Sequence, residues 1–414
     1  MVSHWFDPEG GAAAGPGTIA RAIQRRGHQV DVLTGYPIYP AGKIFPGYRI
    51  RPYSRETLRG IAVHRVPAYP SHDDNATRRM ANYLTFAASS SLAAPAALGA
   101  SDVVLVYSSP ATAATAAVPL KMLRRVPFVL HIQDLWPDTV TSSGFVTGPT
   151  SSFMDRTIAR YCNAVYRSAA HIAVISPGMV ETLRERGVPD QKISVVPNWA
   201  EESSFYPTAR DASLASALGI NRAFNVMYAG NHGEMQNLEV VLEAANRLRH
   251  RKDIGFTLVG DGVRKHFLRQ SAKERGLDNV IFLDPQPFDK MAEILALGDV
   301  QLVTLKDLPL YRITMPSKIQ ANMAAARPII AAVSGDAAAV VEQADCGAAV
   351  QPGDVDSLVR AIIQLAEAPH TALVELGRNA RSAYLEHFSE QSVGDSLESI
   401  LETHKRSEEA KCER

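Results

Sequence analysis

Short runs of apolar, mostly β-branched residues alternate along the chain with stretches in which apolar residues recur every third or fourth position. The first pattern reads as buried strands and the second as amphipathic helices, so the alternation predicts βαβ units and parallel sheets. Strands are expected at 30–34, 62–67, 103–107, 128–133, 171–175 and 193–197 in the first half, and at 225–229, 255–259, 280–283, 300–304, 328–332 and 347–350 in the second. Helices are expected at 17–26, 238–249, 263–275 and 288–297. In the first of these Ile19, Ala20 and Ile23 share a face, and Gly27 ends it.

Two similar halves of roughly 200 residues each match the usual size of a domain. The fold class expected is α/β, with two Rossmann-like doubly wound domains. Pro197 and Pro207 bracket the polar stretch where the break should fall. The first domain is then 1–197 and the second 198–385. Residues 386–414 hold a helix near 393–405 that crosses back to the first domain, and a polar, frayed tail from Ser407. A doubly wound domain needs a strand ahead of the turn Asp7-Pro8-Glu9-Gly10-Gly11, and only Met1 to Phe6 precede it. That strand is expected to be very short, or to start upstream of Met1.

Composition narrows the classes. With 46% hydrophobic and 21% charged residues the chain is globular, and 43 Lys and Arg against 43 Asp and Glu leave no bulk charge for nucleic acid. The charge is uneven, however: residues 1–196 hold 20 basic and 13 acidic side chains. A basic first half fits an anionic partner or membrane surface, or an ordinary solvated face. Cys162, Cys346 and Cys412 are scattered, with no disulfide or zinc spacing, which fits a reducing cytoplasm. The longest apolar stretch, 83–98, is broken by Pro95 and too short to span a bilayer; a packed helix, touching a membrane at most, is expected.

Candidate chemistry sits at predicted strand ends, where ligands of parallel sheets bind. Gly10 and Gly11 stand in a turn before a helix, where backbone N–H groups meet anions, but they form no dinucleotide fingerprint. His131 and Gln133 share a strand face and are followed by Asp134, Trp136 and Asp138. A buried core histidine is the plainer reading of His131; its polar neighbours favour a functional one. The stretch from Gly230 through Asn231, Gly233, Gln236 and Asn237 repeats the strand, glycine loop and helix layout, with Asn237 placed to cap the helix and the glycines to admit a phosphate. Val259-Gly260-Asp261-Gly262 forms another such turn. In Thr314-Met315-Pro316-Ser317-Lys318, a cation at a helix start opposes the helix dipole unless an anion meets it.

Together these segments resemble the large GT-B family of retaining glycosyltransferases that includes the sucrose and trehalose-phosphate synthase relatives. The likeness rests on Gly10-Gly11 with Arg26-Gly27-His28, on Val195-Val196-Pro197-Asn198-Trp199, on Leu258 to Gly262, and on Arg327-Pro328-Ile329-Ile330-Ala331. It implies two domains facing across a cleft, with a nucleotide-sugar donor on the second and the acceptor beside Gly10 and Gly11. Donor contacts would come from Gly230, Asn231, Gln236, Asn237, Asp261, Met315, Ser317 and Lys318. His131, Gln133 and Asp134 would orient the reacting sugar, with no cofactor and no metal.

Tyr107-Ser108-Ser109-Pro110, Gln133-Asp134-Leu135-Trp136-Pro137-Asp138 and Pro316-Ser317-Lys318 narrow the likeness to bacterial polysaccharide enzymes similar to fucosamine transferases. That subgroup implies an N-acetylated amino sugar on UDP and a saccharide or lipid-linked acceptor. Arg21, Arg25, Arg26, Arg49, Arg51, Arg78 and Arg79 would then meet the inner face of a membrane. The chain also departs from the family. Asn231 and Gln236 stand where the family places Arg and Lys, and Ile313 and Ala321 where it places two glutamates. Three alternatives follow: a catalytically silent partner of another transferase, a non-hydrolysing sugar-nucleotide epimerase and, least favoured, a dinucleotide oxidoreductase.

Overall fold

In the first of two units, Met1–Pro197 with the chain again from Gly394 onward, parallel strands spread outward from a single residue. Val2 bridges in parallel to Leu33 of β1 (Asp31–Thr34) on one side and to Val106 of β4 (Val104–Ser108) on the other. Beyond β1 lie β3 (Ile61–Arg65) and then β2 (Ser54–Leu58); beyond β4 lie β5 (Phe128–Ile132), β6 (His171–Val174) and β7 (Ile193–Val195). The residues ahead of the first turn thus supply a central strand reduced to one residue, bridged on both sides. The strand order reverses there, so the loops after Val2 and β4 flank the crevice where such folds bind ligands. The computed structural model describes residues 1–72, 75–139 and 151–407. Cys412 and the tail after Ser407 lie outside them.

β2 is absent from the expected strands. It pairs antiparallel with β3 at the sheet edge, and its positions alternate between half-buried and exposed. Arg55 and Glu56 within it make the segment read as polar loop, although charge is a usual protection of an edge strand. Arg59 and Gly60, both with positive φ, close the hairpin. From Gly394 the chain packs again on the first unit, where Glu398 meets His28 at 2.7 Å and Asp395 meets Arg26 at 3.3 Å.

The second unit, Asn198–Val393, holds β8 (Phe224–Ala229), β9 (Ile254–Val259), β10 (Val280–Leu283), β11 (Val300–Thr304), β12 (Ile329–Ala332) and β13 (Gly347–Val350). All pairs are parallel, in the order β10-β9-β8-β11-β12-β13. β9 and β11 are buried throughout because helices cover both faces. On one face Val241 and Leu242 of helix Glu239–Arg247 and Leu358 and Ile362 of helix Val355–Ala366 pack on Val226, Phe256 and Leu258. Each such side chain stabilises by roughly 1.5–3 kcal/mol when fully buried. Asp354 fixes the start of the second helix by accepting the N–H of Ser357 at 3.0 Å. The helix expected at 288–297 is a 3₁₀ turn, Phe288–Lys290, followed by the short helix Met291–Leu295.

Candidate functional site

The order of the second sheet reverses between β8 and β11, so the loop after β8 stands at the switch point. Glycines shape it. Gly230 has φ +146°, and its carbonyl lies where a side chain on Gly260 would begin. Gly262, at φ +154°, leaves room for the Asn231 amide, 2.5 Å from the position a β-carbon would take. Tyr228, fully buried, donates its hydroxyl to the carbonyl of Asn231 at 2.6 Å and holds the loop down.

Lys318 enters this loop from the start of helix Ser317–Ala324. Its ammonium lies 3.0 Å from the point at which a side chain on Gly230 would begin, and 5.2 Å over the Tyr228 ring. Among the described residues no carboxylate pairs with it. Burial, unopposed by any anion, pushes its pKa down to about 8. Beside Gly233, the Oε1 of Gln236 is buried without a hydrogen-bond partner. An unpaired, half-buried cation, an unsatisfied amide and glycine-lined backbone together form a place for an anion with polar edges.

Other expected donor residues fall differently. Asn237 adopts the left-handed conformation at φ +51°, and Leu238 stands at the N-cap of the helix, so Asn237 shapes the turn instead of capping. The Asp261 carboxylate is exposed and accepts the N–H of Gly262 at 2.9 Å. Met315 is 7% exposed and packs with Val303, Ile319 and Met323, so its side chain belongs to the core and not to a donor contact. Ser317 is exposed at the helix start. Ala321 packs against the same apolar cluster, and neither it nor Ile313 offers a side-chain hydrogen bond. Tyr228 ends the strand ahead of this loop, and its hold on the loop, like the part played by Gly335, is not visible in the sequence. Gly335, at φ +75°, lets the loop after β12 press on the carbonyl of Arg312. A glycine soon after a strand end was the available signal.

In the first unit, Gly10 precedes a 3₁₀ turn, Gly11–Ala13, ahead of helix Gly15–Arg25. Glu9 is buried and accepts N–H groups from Phe6, Ile38 and Tyr39 at 3.1, 2.7 and 2.8 Å. It ties the glycine turn to the loop after β1. Burial still raises its pKa, partly offset by those bonds.

His131 is fully buried. Its Nε2 donates to the carbonyl of Val196 at 2.9 Å, and burial pushes its pKa down to about 4. Its imidazole is closed off from solvent, and its Nδ1 is buried without a hydrogen-bond partner. A strand-end position does not tell which way the imidazole faces. Gln133 lies past the end of β5, its N–H on the carbonyl of Ser108 at 3.4 Å. Asp134 accepts the Ser109 hydroxyl at 2.6 Å, and burial raises its pKa. Gln133 and Asp134 thus meet Ser108 and Ser109 at the ends of β4 and β5.

Two family models match the chain: Glycosyl transferase 4-like domain over residues 10–199, and Glycosyl transferases group 1 over residues 223–368. The chain is 32% identical over 301 residues to WcaI of Escherichia coli (strain K12), named as a colanic acid biosynthesis glycosyl transferase. That alignment covers 70% of this chain and 72% of WcaI. The structure is similar to HepE of Anabaena in complex with UDP, at TM-score 0.71 and 18% identity over 97% of this chain and 99% of that one. It is also similar to sucrose-phosphate synthase from Thermosynechococcus elongatus, at TM-score 0.72 and 18% identity over 97% of both chains. These neighbours share the GT-B fold of two Rossmann-like domains.

Proposed function

We propose a specific reaction for this chain, which belongs to the glycosyl transferase group 1 family of GT-B, GT4-like enzymes. The chain is a glycosyltransferase. Its donor is a UDP-linked N-acetylated amino sugar, bound on the second unit. The observation that carries this is the unpaired ammonium of Lys318 against Gly230. A diphosphate placed there gains a charge-assisted contact and the backbone of the glycine loop, with Asn231, Gln236 and Ser317 at its edge. HepE, a structural neighbour, holds UDP. The amino sugar rests on the resemblance to fucosamine transferases.

Transfer breaks the bond between the anomeric carbon and the diphosphate oxygen, whose electron pair leaves with UDP. The acceptor hydroxyl oxygen forms the new bond, and its proton passes to the departing diphosphate on the same face, giving retention. Gln133 and Asp134 orient the sugar, and His131 acts as a positioning residue behind them through Val196. No metal is needed in this scheme, since Lys318 and backbone dipoles carry the developing charge. The test is transfer from UDP-N-acetylhexosamines to a saccharide acceptor, with the product anomer read by NMR. An α-product from an α-donor supports the reading, and a β-product overturns retention.

A lipid-linked acceptor places the protein on the inner face of a membrane. Among the described residues no helix is long and apolar enough to cross one. Helix Ala76–Ala97 carries no charged residue from Met80 onward, yet Leu92 on it is 85% exposed. It packs against helix Ala117–Arg124, where Met122 and Leu123 are exposed beside exposed Lys121, Arg124 and Arg125. Surface helices normally turn charged residues to water, so an apolar face rimmed by cations fits an anionic lipid surface. Arg21 and Arg26 are engaged by Asp7 and Asp395 and take no part in that contact.

A further inference from the structure

We infer that the half-exposed rings of Trp5, Tyr39, His72 and Tyr83 form the acceptor subsite of the first unit, and that it takes the face of an uncharged sugar and not a phosphate. The inference rests on the transfer reading above and deepens it.

The rings come from separate segments that the fold brings together. Trp5 follows Val2, Tyr39 follows β1 and His72 follows β3, so they stand at the carboxyl ends of three neighbouring parallel strands, where ligands of such sheets bind. Tyr39 and His72 lie 4.8 Å apart between centroids, and Trp5 is 6.2 and 6.1 Å from them. Tyr83 of helix Ala76–Ala97 joins through His4, which is 5.1 Å from Trp5 and 5.6 Å from Tyr83. Tyr83 in turn lies 6.0 Å from Trp136, two residues beyond Asp134, so the cluster runs up to the candidate reacting groups. On the other side a side chain on Gly11 would meet the Tyr39 ring at 3.9 Å.

The frame is rigid. Glu9 fixes the backbone of Tyr39, and Gly42, at φ +67°, allows the loop after β1 to lie on the backbone of His72. Trp5 Nε1 and His4 Nδ1 are buried among these rings without a hydrogen-bond partner. These are polar groups the fold leaves unsatisfied, at a cost of roughly 1–3 kcal/mol each.

The surrounding charge decides the class of ligand. Glu9 is satisfied by its three N–H groups, Asp7 pairs with Arg21, and Arg79 donates to the Tyr83 hydroxyl at 3.2 Å. Arg65 is buried on Glu56 and the carbonyl of Gly35. A phosphate needs cations that are not already engaged. Aromatic faces with a few polar edges suit the apolar face and hydroxyl rim of a neutral sugar.

The test labels the full chain with 6-fluorotryptophan and assigns the Trp5 resonance with Trp5→Phe. Methyl glycosides of neutral hexoses and of N-acetylhexosamines are then titrated without donor, and inorganic pyrophosphate separately. The expected result is that a glycoside shifts the Trp5 resonance and pyrophosphate does not. Tyr39→Ala should weaken glycoside binding about fivefold and leave UDP affinity unchanged. A shift with pyrophosphate alone, or with none of the glycosides, overturns the inference. UDP calorimetry on the same sample reports on the donor reading separately, since its loss beside an intact glycoside shift sinks that reading alone.

Discussion

The Lys318 ammonium and Gly230 are packed so closely that a β-carbon at residue 230 would begin 3.0 Å from Nζ. Gly230→Ala therefore displaces the cation and strains a backbone at φ +146°. UDP affinity should fall by about tenfold or more, and stability by roughly 1–3 kcal/mol. Calorimetry and denaturant unfolding measure the two effects. Unchanged affinity would show that the lysine does not meet the nucleotide.

Lys318 also sets a pH dependence. Its pKa is held at about 8 in the free protein, so it carries its charge below that value and loses it above. A bound diphosphate favours the charged form. UDP binding should be flat below pH 8 and weaken by up to about tenfold per pH unit as pH rises above it. Titrations from pH 6.5 to 9.5 would reveal this, and a flat profile would exclude Lys318 as the contact.

Acid should destabilise the first unit through two buried histidines. His4 and His131 have folded pKa values near 4, against an ordinary value of 6.5. The unfolded chain binds protons that the folded chain refuses within this window. Their contribution is complete above pH 6.5 and is lost as pH falls toward 4, by roughly 3 kcal/mol for each group. His131→Leu should lower stability at pH 7, because the bond to Val196 is lost, and also flatten the acid slope. Urea midpoints measured between pH 7 and pH 4 test both effects; an unchanged slope would contradict the assignment.

The exposed apolar face of helix Ala76–Ala97 predicts binding to vesicles containing phosphatidylglycerol at low salt. Leu92→Asp combined with Met122→Asp should reduce co-sedimentation by about tenfold or more, and added salt should reduce it further. Equal binding of wild type and variant would remove this face from consideration. Self-association abolished by the same substitutions would identify a second copy as its partner instead.

The fold was legible where a short apolar run stands between turns. β10, β11 and β13 match the expected residues, although only β11 is buried throughout and the outer strands β10 and β13 are half-buried. β2 was hidden because a charged edge strand has the composition of a loop. Lys318 was legible because a cation at a helix start is unfavourable without an anion. His131 and Met315 turn their side chains inward, which sequence does not show when it puts a residue near a crevice. The rings of Trp5, Tyr39, His72 and Tyr83 form no contiguous motif, and only the order of the strands gathers them.

The most direct test of the donor site is a calorimetric titration of UDP into wild type and Lys318→Met, each with and without EDTA. The account predicts binding by wild type that ignores EDTA, and a loss of roughly 1.5–3 kcal/mol in the variant, the usual worth of a hydrogen bond to a charged group. No UDP binding by wild type, or equal binding by both proteins, would contradict it.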